Sequence, residues 1–486
     1  MSIFSDTLSS LIKEKNIKIF SMVKYCGLDR STMYKIISGK RNPPSPDIFK
    51  QMKDYMRLTP SEEQQLTEAW KIARIGSENY YRRKSVENFI CNFPVALPAP
   101  ADSNFRNELA DHEENLSIPL PSRQHVDYYI HRMILSEASR PDGTAGLFLQ
   151  PDHDFLFRLL SSLKPAGRLH VRHILCLSGR MQFTDENELY DLACLKKIFP
   201  LYMIPQLEYR ISFFYDEIHS HYYNYSLFPC MILTSDSAVL CSCDYNSGIY
   251  LQNKEMIRML WKLYNTYYDN CSVLFEAFSI IPDNCDDIFR KMFASAASDA
   301  PLIGIQPEAC LTPFLSGGLL DKIFNHSLPN GEEILKLARK YFRLNKAKTE
   351  SDRFFIYFTY NGLVHFARTG LLEEIPEIFY HPLTAAQRAF VLKELMNCCQ
   401  NKSYRILKEP LNYLPRNLHL CICENQANII FKNNNGEVTL LTLKEPGLVD
   451  AFQDYIENME DSCFYTAEES VSMIQELILN LDKELP

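Results

Sequence analysis

The densest run of hydrogen-bonding side chains lies between Asp29 and Asn42. Arg30, Ser31, Thr32, Tyr34 and Lys35 follow one aspartate, and Lys40, Arg41 and Asn42 follow one glycine, Gly39. None of these groups breaks a covalent bond unaided. Guanidinium and short hydroxyl groups present donors to base edges, and ammonium groups and amides bind phosphate oxygens. Met33, Ile36 and Ile37 fall at i, i+3 and i+4 in the same stretch. That spacing commits one helical face to a core and leaves the polar set on the others. Asp29 stands where a carboxylate would accept from the free N–H groups of a first helical turn, and Gly39 is a natural stop.

Other constellations support less. Glu217-Ile-His-Ser-His221, with Tyr222, Tyr223 and Tyr225 after it, has the composition of a ligand or metal pocket and also of a half-exposed loop covering a core edge. The loop is the expected outcome. Cys241-Ser-Cys243 and Cys421-Ile-Cys423 fall in predicted strands, whereas paired zinc ligands want a turn between them, so buried thiols are expected. Cys398 and Cys399 share a predicted helix and face two directions. The 16 glycines form neither a phosphate loop nor a dinucleotide fingerprint, and Gly-x-Ser-x-Gly is absent. No catalytic residue, metal or cofactor is expected.

The elements that must position the 29–42 segment read as helices throughout. Phe4, Leu8, Leu11 and Ile12 recur at helical spacing, a short helix is predicted over 20–26, and two more over 46–56 and 61–75. Cys26-Gly-Leu-Asp-Arg-Ser-Thr-Met-Tyr-Lys-Ile-Ile-Ser-Gly-Lys-Arg-Asn-Pro-Pro44 resembles the second half of the helix-turn-helix in the Cro/C1-type (xenobiotic-response-element) repressor family. Leu58-Thr-Pro-Ser-Glu-Glu63 resembles that family's entry into its fifth helix. The resemblance covers roughly the first 75 residues. It implies a five-helix DNA-binding head in which Arg30, Ser31, Thr32 and Lys35 face bases with Tyr34 at the edge. Lys40, Arg41 and Asn42, with backbone N–H groups of that turn, would grip phosphates. Ile19 and Phe20 depart from the family, which often has Gln there, and this puts the first-helix phosphate contact in question.

Beyond the head, a helix is predicted over 80–90, a proline-spaced stretch over 93–101, and folded structure again from a helix over 123–139. Strand and helix signals then alternate, which argues for an α/β body over a helical solenoid. Leu147-Phe-Leu-Gln-Pro-Asp152 is echoed by Ile303-Gly-Ile-Gln-Pro-Glu308, and Tyr209-Arg-Ile211 by Tyr404-Arg-Ile406. The hairpin and helix over 231–268 are echoed over 420–458, with Leu260 and Leu263 opposite Phe452 and Tyr455. The second copy would need 39 more residues, placed within the helical stretch 316–351. The expected division is a head at 1–76, a helix and linker at 77–122, one α/β unit at 123–276 and a second at 277–486. A paired α/β body on a DNA-binding head looks like the phospholipase D-like fold in architecture alone. That family's His-x-Lys signature is missing, since none of the 12 histidines has Lys two residues later.

Charge and composition fit this division. Residues 1–84 carry a formal net charge of +7 and the remainder −16, a basic head on an acidic body. No apolar run reaches the roughly 18 residues of a membrane span, and the first residues do not read as a signal peptide, so a cytoplasmic protein is expected. The odd count of 15 cysteines does not suggest a disulfide framework. The leading expectation is a transcription regulator that binds double-stranded DNA as a homodimer and whose body answers a small-molecule or protein signal. The alternatives are a DNA-binding scaffold that recruits proteins, as in a phage-type repressor, and an enzyme with a DNA-targeting head.

Overall fold

In the computed structural model Ser2 and Ser5 open α1 (Ile3–Glu14), each hydroxyl accepting from the other's backbone N–H. The structure describes residues 2–41, 44–93, 116–179, 182–218, 227–315, 317–415, 418–433 and 436–482. After α1 come α2 (Ile19–Tyr25), α3 (Arg30–Ile37), α4 (Pro46–Met56), α5 (Pro60–Ile75) and α6 (Ser77–Cys91). Thr59 and Glu62 form a second reciprocal cap at the start of α5, satisfying N–H groups that a helix start leaves free. Apolar residues at helical spacing converge from all of α1 to α5: Phe4, Leu8, Met22, Met33, Met52 and Leu66 are buried together. Trp70 stacks on Phe49 at 4.7 Å between ring centroids, and its Nε1–H donates to the Pro44 carbonyl at 2.9 Å.

The chain divides into two compact units, Met1–Ser85 with Asp185–Glu188, and Val86–Thr184 with Leu189–Pro486. The division falls inside α6, because Val86, Phe89 and Ile90 are fully buried in the core of the second unit. The proline-spaced stretch 94–101 lies outside the described residues.

The second unit is α/β. Its first half runs β1 (Leu116–Leu120), α7 (Arg123–Ala138), β2 (Asp142–Phe148), α8 (Asp154–Ser162), β3 (Arg168–Leu177), α9 (Tyr190–Ile198), β4 (Leu207–Tyr215), β5 (Cys230–Leu233), β6 (Ala238–Cys241), β7 (Gly248–Gln252), α10 (Lys254–Tyr268) and a short β8 (Ser272–Val273). The second half runs β9 (Phe275–Ser279), α11 (Cys285–Ala297), β10 (Leu302–Gln306), α12 (Gly318–Ile323), α13 (Gly331–Glu350), β11 (Phe354–Thr359), α14 (Tyr360–Thr369), α15 (Ala385–Gln400), β12 (Tyr404–Leu407), β13 (His419–Cys423), β14 (Gln426–Lys432), β15 (Val438–Leu443), α16 (Pro446–Glu457) and α17 (Ala467–Asp482).

The first sheet is ordered β1-β7-β6-β5-β2-β3-β4-β8, and the second, read the same way, β9-β15-β14-β13-β10-β11-β12. Seven strands therefore recur in the same order. Their directions recur too: β2, β3 and β4 are parallel, as are β10, β11 and β12, and the remaining pairs are antiparallel in both sheets. One continuous core takes Leu147, Val171 and Ile211 from the first sheet and Ile305, Ile429 and Leu441 from the second. Phe199 and Phe452 sit within it against Phe89.

The structure departs from the sequence reading in several places. Each sheet begins one strand earlier than expected, with β1 and β9. Both are short outer strands, and Pro119 in β1 supplies no N–H, which suits an edge and weakens the strand signal. The extra length of the second half is shared between two connections rather than held within 316–351. The link from β10 to β11 spans 307–353 against 149–167 in the first half, and that from β11 to β12 spans 360–403 against 178–206. Leu263 does not match the buried Tyr455; it is 47% exposed, while its neighbour Tyr264 is fully buried. Cys243 lies past the end of β6, in the following turn.

Candidate nucleic-acid interface

The connection from α2 to α3 is short because Gly27 takes a left-handed conformation (φ 60°) and Leu28 N–H returns to the Val23 carbonyl at 3.1 Å. Asp29 then caps α3. Its carboxylate accepts from the Thr32 N–H at 2.8 Å and from the Thr32 hydroxyl at 2.5 Å. These two bonds hold the Asp29 carboxyl below its usual range. Met33 and Ile36 anchor α3 in the core, which leaves Arg30, Ser31, Tyr34 and Lys35 exposed and Thr32 half-buried. The Arg30 guanidinium lies over the Tyr34 ring, 5.7 Å from its centroid, as an i, i+4 pair.

After α3 the chain turns at Gly39 (φ 71°), where an added Cβ would come within 2.8 Å of Ser5 Oγ. Lys40 and Arg41 are exposed. Three backbone N–H groups of this turn are already occupied within the chain and are not free for phosphate. The Lys40 and Arg41 N–H groups both donate to the Lys35 carbonyl, at 2.9 and 3.2 Å, and Gly39 N–H donates to Ile36. A helix C-terminus leaves carbonyls without intrahelical partners, and this turn satisfies them. The Lys40 and Arg41 side chains remain. Arg41 Nη1 donates to Thr32 Oγ1 at 2.9 Å, so one hydroxyl links the capping aspartate to the turn's guanidinium. Asn42 lies outside the described residues.

Two aromatic residues near α3 were not read as site residues from sequence. Phe20, one of the two departures from the family pattern, is 70% exposed on α2. Tyr25 is 56% exposed and packs beside Tyr55 at 5.4 Å. A large apolar ring at a position expected to be polar was the available signal for Phe20. Lys18 and Lys24 are exposed as well, adding positive charge to the same unit.

In the second unit, His219, His221, Tyr222, Tyr223 and Tyr225 lie outside the described residues. Among the described residues no group of three His, Cys, Asp or Glu side chains is placed to hold a metal. Cys421 and Cys423 alternate along β13, and burial pushes both thiols up, which keeps them protonated. His419 opens β13 fully buried, and burial, with the charge of Lys432, pushes it down to about 3. Where the two halves meet, Glu445 caps α16 and accepts from the Tyr215 hydroxyl at 2.5 Å. Burial there pushes the nearby Asp191 up to about 6, while Ser178 donates to it. No described helix is long and apolar enough to cross a membrane.

No family model matches the chain, and no curated protein sequence does. Solved structures with some similarity include phosphatidylserine synthase from Haemophilus influenzae (11% identity over 82% of this chain and 96% of that one, TM-score 0.24). Another is TrmBL2, an archaeal chromatin protein described as showing a novel mode of DNA binding (9% identity, 56% and 100% coverage, TM-score 0.22). A third is polyphosphate kinase from Porphyromonas gingivalis (9% identity, 88% and 66% coverage, TM-score 0.22). At such scores these likenesses carry no weight on fold or activity.

Proposed function

We propose that the chain is a sequence-specific DNA-binding transcription regulator of the helix-turn-helix kind, with α2 and α3 as the paired helices and α3 as the one that enters the major groove. The observation that carries this reading is the division of α3. Met33 and Ile36 fix it in the core, while Arg30, Ser31, Tyr34 and Lys35 stand in solvent and Lys40 and Arg41 lie just beyond its end. Arg30, Ser31 and Lys35 would reach base edges, with Tyr34 at the edge, while Thr32 would be less available because its hydroxyl is held by Asp29 and Arg41. Lys40 and Arg41 would neutralise phosphates. The body is a doubled α/β unit on this reading, since the seven-strand order and directions recur. A single head reads one half-site, so the functional form is a homodimer. The signal acts by favouring one arrangement of the bodies over another. No residue set described above performs catalysis on this reading.

The test is duplex selection from a random pool by the full chain, followed by affinity measurements across salt concentrations. Specific affinity should fall steeply with salt. Lys40→Ala should lower the slope of log affinity against log salt by about one unit, whichever duplex is used. Arg30→Ala should cost about 1–3 kcal/mol of discrimination at one position of the site and leave that slope nearly unchanged. A chain with no salt-sensitive affinity for any duplex would end the reading.

A further inference from the structure

The second half of the body contains a cavity of about 140 Å³ between one face of its sheet and the helices over it. Strand alternation builds the floor. Ala427, Ile429 and Phe431 of β14 point into the main core, which turns Asn428 and Ile430 toward the cavity beside Cys421 of β13. The roof includes Phe289 of α11 and Tyr341 of α13. The first half is packed differently at the corresponding helix. There α7 presses Tyr129, Ile130, Met133 and Ile134 into the core. Its counterpart by chain order, α11, packs instead against α13 of the longer connection, and only its Cys285, Ile288 and Ala296 are buried. The cavity is thus a product of the longer link between β10 and β11. In volume it is close to the roughly 150 Å³ cavities that accept one small ring, though it is not sealed from solvent.

One carboxylic acid stands in this apolar wall. Glu374, in the segment between α14 and α15, is half-buried and is one of the residues lining the cavity. The neighbouring thiol of Cys310, which also lies 3.1 Å from Thr312 Oγ1, pulls its pKa down as a weak donor, and the carboxylate has about four acceptor positions. No Lys, Arg or His is among the described residues lining the cavity. Lys432 on β14 is paired with Glu373 at 3.2 Å. The other titratable groups on or beside the lining are Cys285, Cys310, Cys421, Tyr341, Tyr380, Glu308 and Glu373, together with the buried Lys348 of α13, whose ammonium is held by the Ser295 carbonyl at 2.7 Å. A bound anion would meet Glu374 with no counter-charge among the lining side chains. A hydrocarbon would fill the space and leave the carboxyl as it is. A cation would complete it, with aromatic faces at hand.

We propose that this cavity is a binding site for a small hydrophobic primary amine, about one ring in size, whose ammonium group pairs with the Glu374 carboxylate beside the rings of Phe289 and Tyr341. The site stands apart from the DNA reading, and its test does not use DNA. Calorimetric titration of the full chain with 2-phenylethylamine, its neutral isostere propylbenzene, and 3-phenylpropionate separates the outcomes. The amine should bind at least about tenfold more tightly than propylbenzene, and the carboxylate should not bind. Glu374→Gln should remove most of the amine's advantage and leave propylbenzene unchanged. The native chain gives a second readout that needs no variant. Because burial pushes the Glu374 carboxyl up to about 7, amine affinity should fall roughly tenfold from pH 8 to pH 6 while propylbenzene affinity holds. Equal affinity for the amine and propylbenzene, an amine affinity unchanged by Glu374→Gln or by that pH step, or binding of neither compound would overturn the proposal.

Discussion

Glu374→Gln should stabilise the body at alkaline pH and leave it nearly unaltered at pH 4. The ordinary glutamate value is 4.5, and burial in the apolar wall pushes this carboxyl up to about 7, with only the Cys310 thiol pulling it back. The folded chain therefore prefers the protonated acid. That preference contributes its full stability below about pH 4.5 and is lost as the pH rises through about 7. A difference of roughly two and a half units, at about 1.4 kcal/mol each, makes the loss about 3 kcal/mol by pH 8. Glutamine keeps the shape and stays neutral, so it does not incur that loss. The gap between variant and native chain should be well under 1 kcal/mol at pH 4 and should open to about 3 kcal/mol at pH 8, most steeply between pH 5 and 7. Urea unfolding of both chains, followed by circular dichroism at several pH values without added ligand, measures it. Glu308 and Asp191, whose carboxyls burial also raises, are present in both chains and drop out of the difference. A gap that stays flat from pH 4 to 8, or that narrows as pH rises, would show that Glu374 does not occupy the apolar setting described for it.

Two further substitutions test the packing of the separate units. Phe452→Ala on α16 removes a fully buried ring lying 5.5 Å from Phe89, and should lower the body's stability by about 3–5 kcal/mol, read from the urea midpoint of its transition. Trp70→Phe keeps a ring against Phe49 but leaves the Pro44 carbonyl without its indole donor, so the head should lose about 1–3 kcal/mol and unfold earlier while the body transition stays in place.

Local physics made much of the head legible from sequence. An aspartate before Arg30, apolar residues at helical spacing and a glycine after Ser38 fix where α3 starts, which side it buries and where it stops, whatever it packs against. Part of the body was readable for the same reason, for instance α10 (Lys254–Tyr268), whose apolar face is a local signal. Tertiary structure decided the rest, because it depends on which distant groups meet. Only the fold shows that the Lys40 and Arg41 N–H groups go to the end of α3 and that the Arg41 side chain reaches Thr32. Short edge strands such as β1 and β9 carry little pattern of their own and are defined by the neighbours they pair with. Glu374 looked like any surface acid in the sequence. Its character comes from a helix, α11, that leans on a longer connection instead of filling the sheet beneath it, and spacing along the chain does not encode that choice.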